Sequence, residues 1–578
     1  MTVLDAGGQY CHLIARKVRD LGVYADVQLS ETPAHELLGR KALIISGGPD
    51  SVYSPDSSTI DPDILKGPAA VLGICYGHQL MTWSLGGRVR KGEKGEYGLA
   101  RLIVPNQATL FAGTDPSQQV WMNHRDTVEQ VPDGFKVIAG TDTCGIAAMM
   151  HQTRPLASVQ FHPEVAHTTF GRQILSNFIF DIAGCTPDWD PKDRIGPLEE
   201  EIRRVAGNRN VFFFVSGGVD STVAYTLCLR ALGPERVYGT YVDTGLMREG
   251  ETAYVERLFA ELGARHFHVE DAGSEFLGAL QGVCDPERKR LLIGEQFVTV
   301  QERVLRGGHF LDDQWILGQG TIYPDTIESG GTKKADVIKT HHNRVAGIQK
   351  LMDSGRIIEP LQSFYKDEVR EVGEQLGIPA EFLHRHPFPG PGLGIRCLCA
   401  PGEGIITASE DGYLLPVNTV GVQGDSRSYR AVFAIENFAG DEHVAGLVNR
   451  RADINRVVAR VWSRVPMSQM RGTQGTLTQP RLDRLRNADA IVRRLSEESD
   501  FERQVWQFPV VLIPIGTTDA PDSVVLRPIH SVDGMTAQVV RMERTLLDSL
   551  ATALSTVPGV CAVFYDLTNK PPGTIEWE

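Results

Sequence analysis

The sequence predicts an α/β protein: two doubly wound, mainly parallel-sheet domains followed by an α+β C-terminal domain. Three observations predict it. A short apolar run, a Gly-rich turn and a helical stretch follow one another repeatedly, the signature of parallel βαβ units. That series stops near residue 184 and restarts near residue 211. A Pro/Gly cluster, PFPGPGLG at 387–394, then closes it, and the strand-like and helical runs beyond it no longer alternate regularly. At 578 residues, and with about 150 residues per domain as the ordinary size, three to four domains are expected.

In order along the chain, VL at 3–4 runs into Asp5-Ala6-Gly7-Gly8, ALII at 42–45 into Ser46-Gly47-Gly48-Pro49, and AAVLGI at 69–74 into Cys75-Tyr76-Gly77. Ligands on such sheets sit at the carboxyl ends of the strands, where all three turns lie. GCTPDWDPK at 184–192 has the Pro, Gly and Asp content of a linker. VFFFV at 211–215 then enters Ser216-Gly217-Gly218, VYGTYV at 237–242 enters Asp243-Thr244-Gly245, and WIL at 315–317 enters Gly318-Gln319-Gly320. Strand-like runs at 507–514 and 523–528 belong to the third part. The expected domains are 1–187, 188–394 and 395–578.

Composition excludes several classes. Lys+Arg number 58 and Asp+Glu 72, a formal charge of −14, whereas a surface that tracks a phosphate backbone needs clustered positive charge; no nucleic-acid partner is expected. Nine cysteines without a CxxC pair fit a reduced, cytoplasmic protein rather than a disulfide scaffold. MTVLDAGGQY has neither the basic nor the apolar region of a leader, and no apolar run approaches the 18 residues of a membrane span. His341-His342, His266-x-His268 and His384-x-His386 lack partners at metal-ligand spacing, so no structural metal is expected.

Gly73-Ile74-Cys75-Tyr76-Gly77 lies between an apolar strand and a helical stretch. Such a turn lifts its central side chain to the sheet edge, and the following helix N-terminus favours a thiolate. The pentapeptide alone fits a buried structural thiol equally well. ASVQF at 157–161 changes the weighing, because it reads as a strand leading into His162-Pro163-Glu164. Residues two apart on an extended backbone point the same way, so His162 can face the cysteine while Glu164 orients its ring. Nucleophile, base and orienting carboxylate make the general triad. Together SGGP at 46–49, GICYGHQ at 73–79 and QFHPEV at 160–165 resemble a class I glutamine amidotransferase domain. The resemblance implies a Cys75 thioester formed from glutamine, an oxyanion held by the backbone N–H groups of Gly48 and Tyr76, and Gln79 on the substrate.

SGGVDST at 216–222, between a strand and a helix, reads as a phosphate cradle, since adjacent glycines and a helix N-terminus bring backbone N–H groups to an anion; the two glycines alone fit a merely tight turn equally well, and the full string is the sharper signal. It is not G-x-x-x-x-G-K followed by Ser or Thr, nor a dinucleotide G-x-G-x-x-G. It resembles the PP-loop of the N-type ATP pyrophosphatases. That implies ATP contacts from Ser216, Gly217, Gly218, Val219, Asp220, Ser221 and Thr222, with Asp243 flanking the nucleotide. It also implies attack on the α-phosphate and Mg²⁺ on the phosphates, with Asp220 the nearest carboxylate for the metal.

An ammonia generator fused to an adenylating domain converts a carbonyl oxygen to a leaving group and displaces it with ammonia. TIYPDTIES at 321–329, IKTHHN at 338–343, RHPFPGPGLG at 385–394, VGVQGD at 420–425 and KPPGTIEWE at 570–578 resemble the GMP synthase family in order along the chain. The resemblance implies amination of xanthosine 5′-monophosphate (XMP), with XMP contacts from Arg290, Asp425, Gln507, Lys570 and Glu576, and a homodimer formed through the third domain. CAPGEGIITASEDGYLLPV at 399–417 departs from the family pattern, being compact and Gly-rich where a longer helical stretch is expected, whereas the run from Val420 onward resembles the family's extended form, with a duplicated C-terminal subdomain. Another PP-loop adenylating amidotransferase, such as NAD synthetase, is the alternative; it pairs its PP-loop with a different glutaminase and lacks FHPE.

Overall fold

Apolar runs of four or five residues bounded by turns form strands covered on both faces. The computed structural model describes residues 1–8, 10–325, 346–423, 426–531 and 536–578, and divides into two compact units, Met1–Asp193 and Arg194–Glu578. The first unit contains strands β1 (Thr2–Asp5), β2 (Asp26–Leu29), β3 (Ala42–Ile45), β4 (Ala70–Ile74), β5 (Arg88–Ile103), β6 (Ser117–Gln130), β7 (Phe135–Ala139), β8 (Ala148–His151) and β9 (Leu156–Val159). Seven of them form one sheet in the order β2-β1-β3-β4-β9-β8-β7. The first five pair in parallel, and β8 and β7 add antiparallel to the far side. Every residue of β3, β4 and β9 is buried. The long strands β5 and β6 form a separate antiparallel hairpin.

In the second unit, β10 (Asn210–Val215), β11 (Val237–Asp243), β12 (His266–Asp271), β13 (Trp315–Gly318) and β14 (Ile357–Ile358) pair wholly in parallel, in the order β12-β11-β10-β13-β14. The chain leaves β10 to one side and later returns on the other. The turn after β10 therefore sits at the switch point where open α/β sheets bind ligands.

Beyond residue 394 lie β15 (Thr407–Ser409), β16 (Gly412–Gln423), β17 (Ser426–Ile435), β18 (Ile454–Ser463), β19 (Arg471–Gly472), β20 (Val510–Ile513), β21 (Ile515–Gly516), β22 (Asp522–Leu526), β23 (Ile529–His530), β24 (Gln538–Val539) and β25 (Val560–Asp566). A mixed sheet runs β15-β16-β17-β18-β25-β22-β20. Two halves of it share one plan. Antiparallel β16–β17 leads through the helix Asp441–Arg450 to β18, parallel to β17; antiparallel β20–β22 leads through the helix Arg544–Ser555 to β25, parallel to β22. The halves join where β18 and β25 pair antiparallel. One hydrophobic core runs from Val242, Leu246 and Ile293 through Leu393 and Phe433 to Leu567, so the sequence boundary at 394 falls inside a single compact unit. None of the nine cysteines is disulfide-bonded, and among the described residues no helix is long and apolar enough to cross a membrane.

Candidate active sites

Three neighbouring strand ends build the first site. β3 ends in Ser46-Gly47-Gly48, β4 in Cys75, and β9 in the segment carrying His162, and β3, β4 and β9 are consecutive in the sheet. Cys75 has φ +56° and ψ −107° and opens the helix Tyr76–Ser84. A non-glycine residue with positive φ is costly and is kept only where the surroundings enforce it. The glycines on either side allow the turn: a Cβ on Gly73 would lie 2.4 Å from the Gly77 carbonyl oxygen, and one on Gly77 would lie 2.3 Å from that of Ile45.

Glu164 Oε1 lies 2.7 Å from His162 Nδ1, with both side chains buried. Nε2 of the ring is buried and has no hydrogen-bond partner among the described residues. The ring and the thiol converge, because a Cβ on Gly47 would lie 3.2 Å from His162 Cε1 and 3.9 Å from Cys75 Sγ. Nucleophile–base hydrogen bonds are often long before substrate binds. Burial pushes the ring's pKa down, but the Glu164 carboxylate and the Cys75 sulfur outweigh it and hold His162 well above its ordinary value. His78, three residues beyond Cys75, differs: burial pushes it down to about 3. Its Nδ1 meets Ser158 Oγ at 2.7 Å and its Nε2 the Ile146 carbonyl oxygen at 3.2 Å, so it ties the helix to the sheet.

The hairpin β5–β6 completes this site, and its contribution is not legible in the sequence motifs. The Cys75 thiol donates to the Asn123 carbonyl oxygen at 3.6 Å, and Gln79 Nε2 donates to that of Asp126 at 2.8 Å. Asp126 is itself buried, and its Oδ2 has no hydrogen-bond partner among the described residues. The Gly48 backbone lies against Tyr76, since a Cβ on Gly48 would meet Tyr76 Cδ1 at 3.2 Å.

The second site is the turn between β10 and the helix Val219–Leu232. Ser216 Oγ accepts from the Gly218 N–H at 3.2 Å and lies 3.0 Å from Ser221 Oγ, which curls the loop around the helix N-terminus. Val219 and Thr222 are buried, and Thr222 Oγ1 has no hydrogen-bond partner among the described residues. Gly217 has φ +71°, and a Cβ there would lie 3.0 Å from Val255 Cγ2. Gly217→Ala is expected to cost about 1–2 kcal/mol from the left-handed backbone, which thermal melts measure.

Both oxygens of Asp220 accept from Lys366 Nζ, at 2.7 and 2.6 Å, a partner the motif does not reveal. Asp243, at the end of β11, accepts from the Gly245 N–H at 2.8 Å and the Thr252 hydroxyl at 2.6 Å.

The residues expected to contact XMP are drawn together in part. Arg290 donates to the main-chain oxygen of Glu578, and the adjacent Lys289 is fully buried, pairing with the Glu578 carboxylate and donating to the carbonyl oxygens of Gly394 and Cys397, each at 3.1 Å. Arg288-Lys289-Arg290 is therefore not a uniformly solvated basic face. Glu576 accepts from Arg396 at 3.0 and 2.7 Å. Gln507 bridges Ile529 and Lys570 bridges Ala537 through their backbones, on either side of the β23–β24 hairpin. Asp425 and the His341-His342 pair lie outside the described residues.

The glutamine amidotransferase class-I family matches residues 2–182, and the GMP synthase C terminal domain family matches residues 495–577. A probable GMP synthase (glutamine-hydrolyzing) from Leptospira interrogans is 41% identical over 602 aligned residues, covering 100% of this chain and 99% of its own. The GMP synthases (glutamine-hydrolyzing) of Syntrophomonas wolfei and Symbiobacterium thermophilum are each 39% identical, again over 100% of this chain and 99% of theirs. Full-length similarity at this level, on a chain carrying an elbow cysteine and a Gly-rich turn that opens a helix, places it: the chain belongs to the glutamine-hydrolysing GMP synthase family.

Proposed function

We propose that Cys75, His162 and Glu164 hydrolyse glutamine, and that the ammonia released aminates XMP activated by ATP in the second unit. The Cys75 sulfur attacks the glutamine amide carbon, and the Gly48 and Tyr76 N–H groups take up the charge on oxygen. His162 protonates the departing ammonia, then removes a proton from the water that releases glutamate. Gln79 and the buried Asp126 carboxylate hold the substrate, with Asp126 receiving its ammonium group. The observation that carries this reading is the 2.7 Å Glu164–His162 contact with the opposite ring nitrogen left free beside Cys75.

In the second unit, residues 216–222 and Asp243 hold ATP. The XMP C2 oxygen attacks the α-phosphate, pyrophosphate leaves, and ammonia at C2 displaces AMP to give GMP. Arg290, Asp425, Gln507, Lys570 and Glu576 hold XMP. Magnesium bound with ATP fits the donors here: a hard cation takes one or two carboxylates plus phosphate oxygens, and Asp220 presents a carboxylate beside the cradle, balanced in this structure by Lys366. The ion supplies neutralisation of the phosphate charge. Nine free thiols fit work in a reducing cytoplasm. Homodimer assembly through residues 395–578 belongs to the same reading, and light scattering measures it.

XMP carrying ¹⁸O at C2 tests the adenylation step. The label is expected in the phosphate of AMP. Label released to water, or found in pyrophosphate, contradicts it.

The raised His162 pKa gives a pH prediction. Protonation of departing ammonia needs the imidazolium, and a raised pKa keeps that form present well above pH 6.5, so the alkaline limb of glutaminase activity lies far above that pH. Glu164→Gln removes the charge that raises it. The limb moves to lower pH and kcat falls about 100- to 10,000-fold, as read from a pH–rate profile.

A further inference from the structure

We propose that Glu96 and His124 are positioning residues of the glutaminase site, fixing the backbone of residues 123–126 that contacts Cys75 and Gln79. This rests on the assignment of glutamine hydrolysis to Cys75. Glu96 and His124 are direct cross-strand partners on the β5–β6 hairpin. His124 is buried, and its two ring nitrogens hold two different things: Nδ1 meets the Asp126 carbonyl oxygen at 3.0 Å and Nε2 meets Glu96 Oε2 at 3.2 Å. The Asp126 carbonyl is the same oxygen that receives Gln79 Nε2. On the other side, Glu96 Oε1 accepts from the Thr143 hydroxyl at 2.6 Å and the Thr141 hydroxyl at 3.1 Å. A continuous chain thus runs from the loop at 141–144 through Glu96 and His124 to the carbonyl that orients Gln79.

Asn123 precedes His124 and offers its carbonyl oxygen to the Cys75 thiol, so displacing the His124 ring moves both substrate-facing carbonyls at once. The nucleophile and base are held elsewhere, by the β4 elbow and by Glu164. The network therefore bears on the binding of glutamine more than on the chemical step. Removal of an interaction felt equally in ground and transition states raises KM and leaves kcat.

Glu96, His124 and Cys144 place one ligand atom each within 4.8 Å of one another, a spacing that also suits a metal ion. Two observations favour the hydrogen-bonded network. Glu96 and His124 already meet directly at 3.2 Å, and the Cys144 sulfur lies 3.7 Å from the Thr127 hydroxyl.

The test is steady-state kinetics of full-length Glu96→Ala, Glu96→Gln and Thr143→Val, with glutamine and separately with ammonium chloride. Glu96→Ala is expected to raise the KM for glutamine on the order of tenfold, with kcat within about threefold, and Glu96→Gln to recover most of that loss. Thr143→Val, a milder change at an exposed hydroxyl, is expected to raise KM about threefold. Ammonia-driven synthesis and alkylation of Cys75 by iodoacetamide stay at wild-type rates, which reports an intact fold and nucleophile. An unchanged KM, or a fall in kcat alone, overturns the proposal. So does one equivalent of divalent metal in the wild type that Glu96→Ala loses. Glutaminase activity surviving in Cys75→Ala would instead refute the underlying assignment, whatever the Glu96 variants do.

Discussion

Cys75→Ala is expected to lose glutamine-dependent GMP synthesis by at least about 1,000-fold while keeping synthesis from ammonium chloride. The size follows from removal of the nucleophile that, in the proposed mechanism, attacks the amide carbon first. The residual rate comes from oxyanion donors and substrate binding, which cannot replace a nucleophile. Survival of the ammonia-driven reaction follows from the division of the chain: Cys75, His162 and Glu164 lie in the unit Met1–Asp193, whereas residues 216–222, proposed to hold ATP, lie in Arg194–Glu578. The substitution also leaves the fold little changed, because Cys75 is held by its backbone, with its N–H donating to the Val159 carbonyl oxygen at 2.9 Å. Loss of XMP absorbance with each donor reads both outcomes. Equal loss with both donors would mean that the two chemistries share a site.

Deletion of residues 570–578 is expected to abolish synthesis with either nitrogen donor and to spare glutamine hydrolysis. Gly573, Trp577 and Glu578 of this segment are buried. Asp566, fully buried, accepts from Arg456 at 2.9 Å, Arg527 at 2.6 Å and the Trp577 indole at 2.9 Å. The two arginines in turn donate to the carbonyl oxygens of Thr574, Ile575 and Glu576. Truncation takes away those carbonyl acceptors, leaving the two guanidinium groups, among the described residues, with Asp566 and the carbonyl oxygens of Val420 and Thr568 alone, and removes Lys570 and Glu576 together. Where truncation unfolds the unit, Lys570→Ala is the companion variant; it is expected to lose synthesis in a folded chain.

The same cluster gives a sign for acid stability. Burial pushes the Asp566 carboxyl up, yet Arg527 and Arg456 outweigh burial and hold it below the usual range. Its stabilising contribution is therefore present above the unfolded carboxylate pKa of about 3.9 and is lost as pH falls through the depressed folded value. Asp566→Ala is expected to cost about 3–5 kcal/mol at neutral pH, because it strands buried charge.

How much of this was legible follows from distance along the chain. The elbow, His162-Pro163-Glu164 and SGGVDST are local: each strand and turn carries its chemistry within a few residues, and the βαβ pattern brings the strand ends to one edge. The contribution of β5–β6 was not legible, because Asn123 and Asp126 meet Cys75 and Gln79 through backbone carbonyls that no side-chain pattern marks, and no local motif ties the Asp126 carboxylate to the elbow. Lys366, which balances Asp220, lies 146 residues away. Lys289 sits between two arginines in sequence, but successive helical residues point in different directions, and the packed interior alone decides that it is buried. The buried Arg456–Asp566–Arg527 cluster likewise joins three distant segments. The paired halves around β18 and β25 give a physical form to the extended C-terminal part, whose residues 399–417 contribute strands where a helix was the ordinary expectation.

The most direct test of the account follows the nitrogen. Glutamine labelled with ¹⁵N in its amide, supplied with XMP, ATP and Mg²⁺, should give GMP with ¹⁵N in its exocyclic amine, together with one AMP and one pyrophosphate per GMP. Cys75→Ala, given the same labelled glutamine plus unlabelled ammonium chloride, should make only unlabelled GMP. ¹⁵N-labelled GMP from the variant, or unlabelled GMP from the wild type without added ammonia, would contradict the transfer of nitrogen from glutamine through Cys75 to XMP.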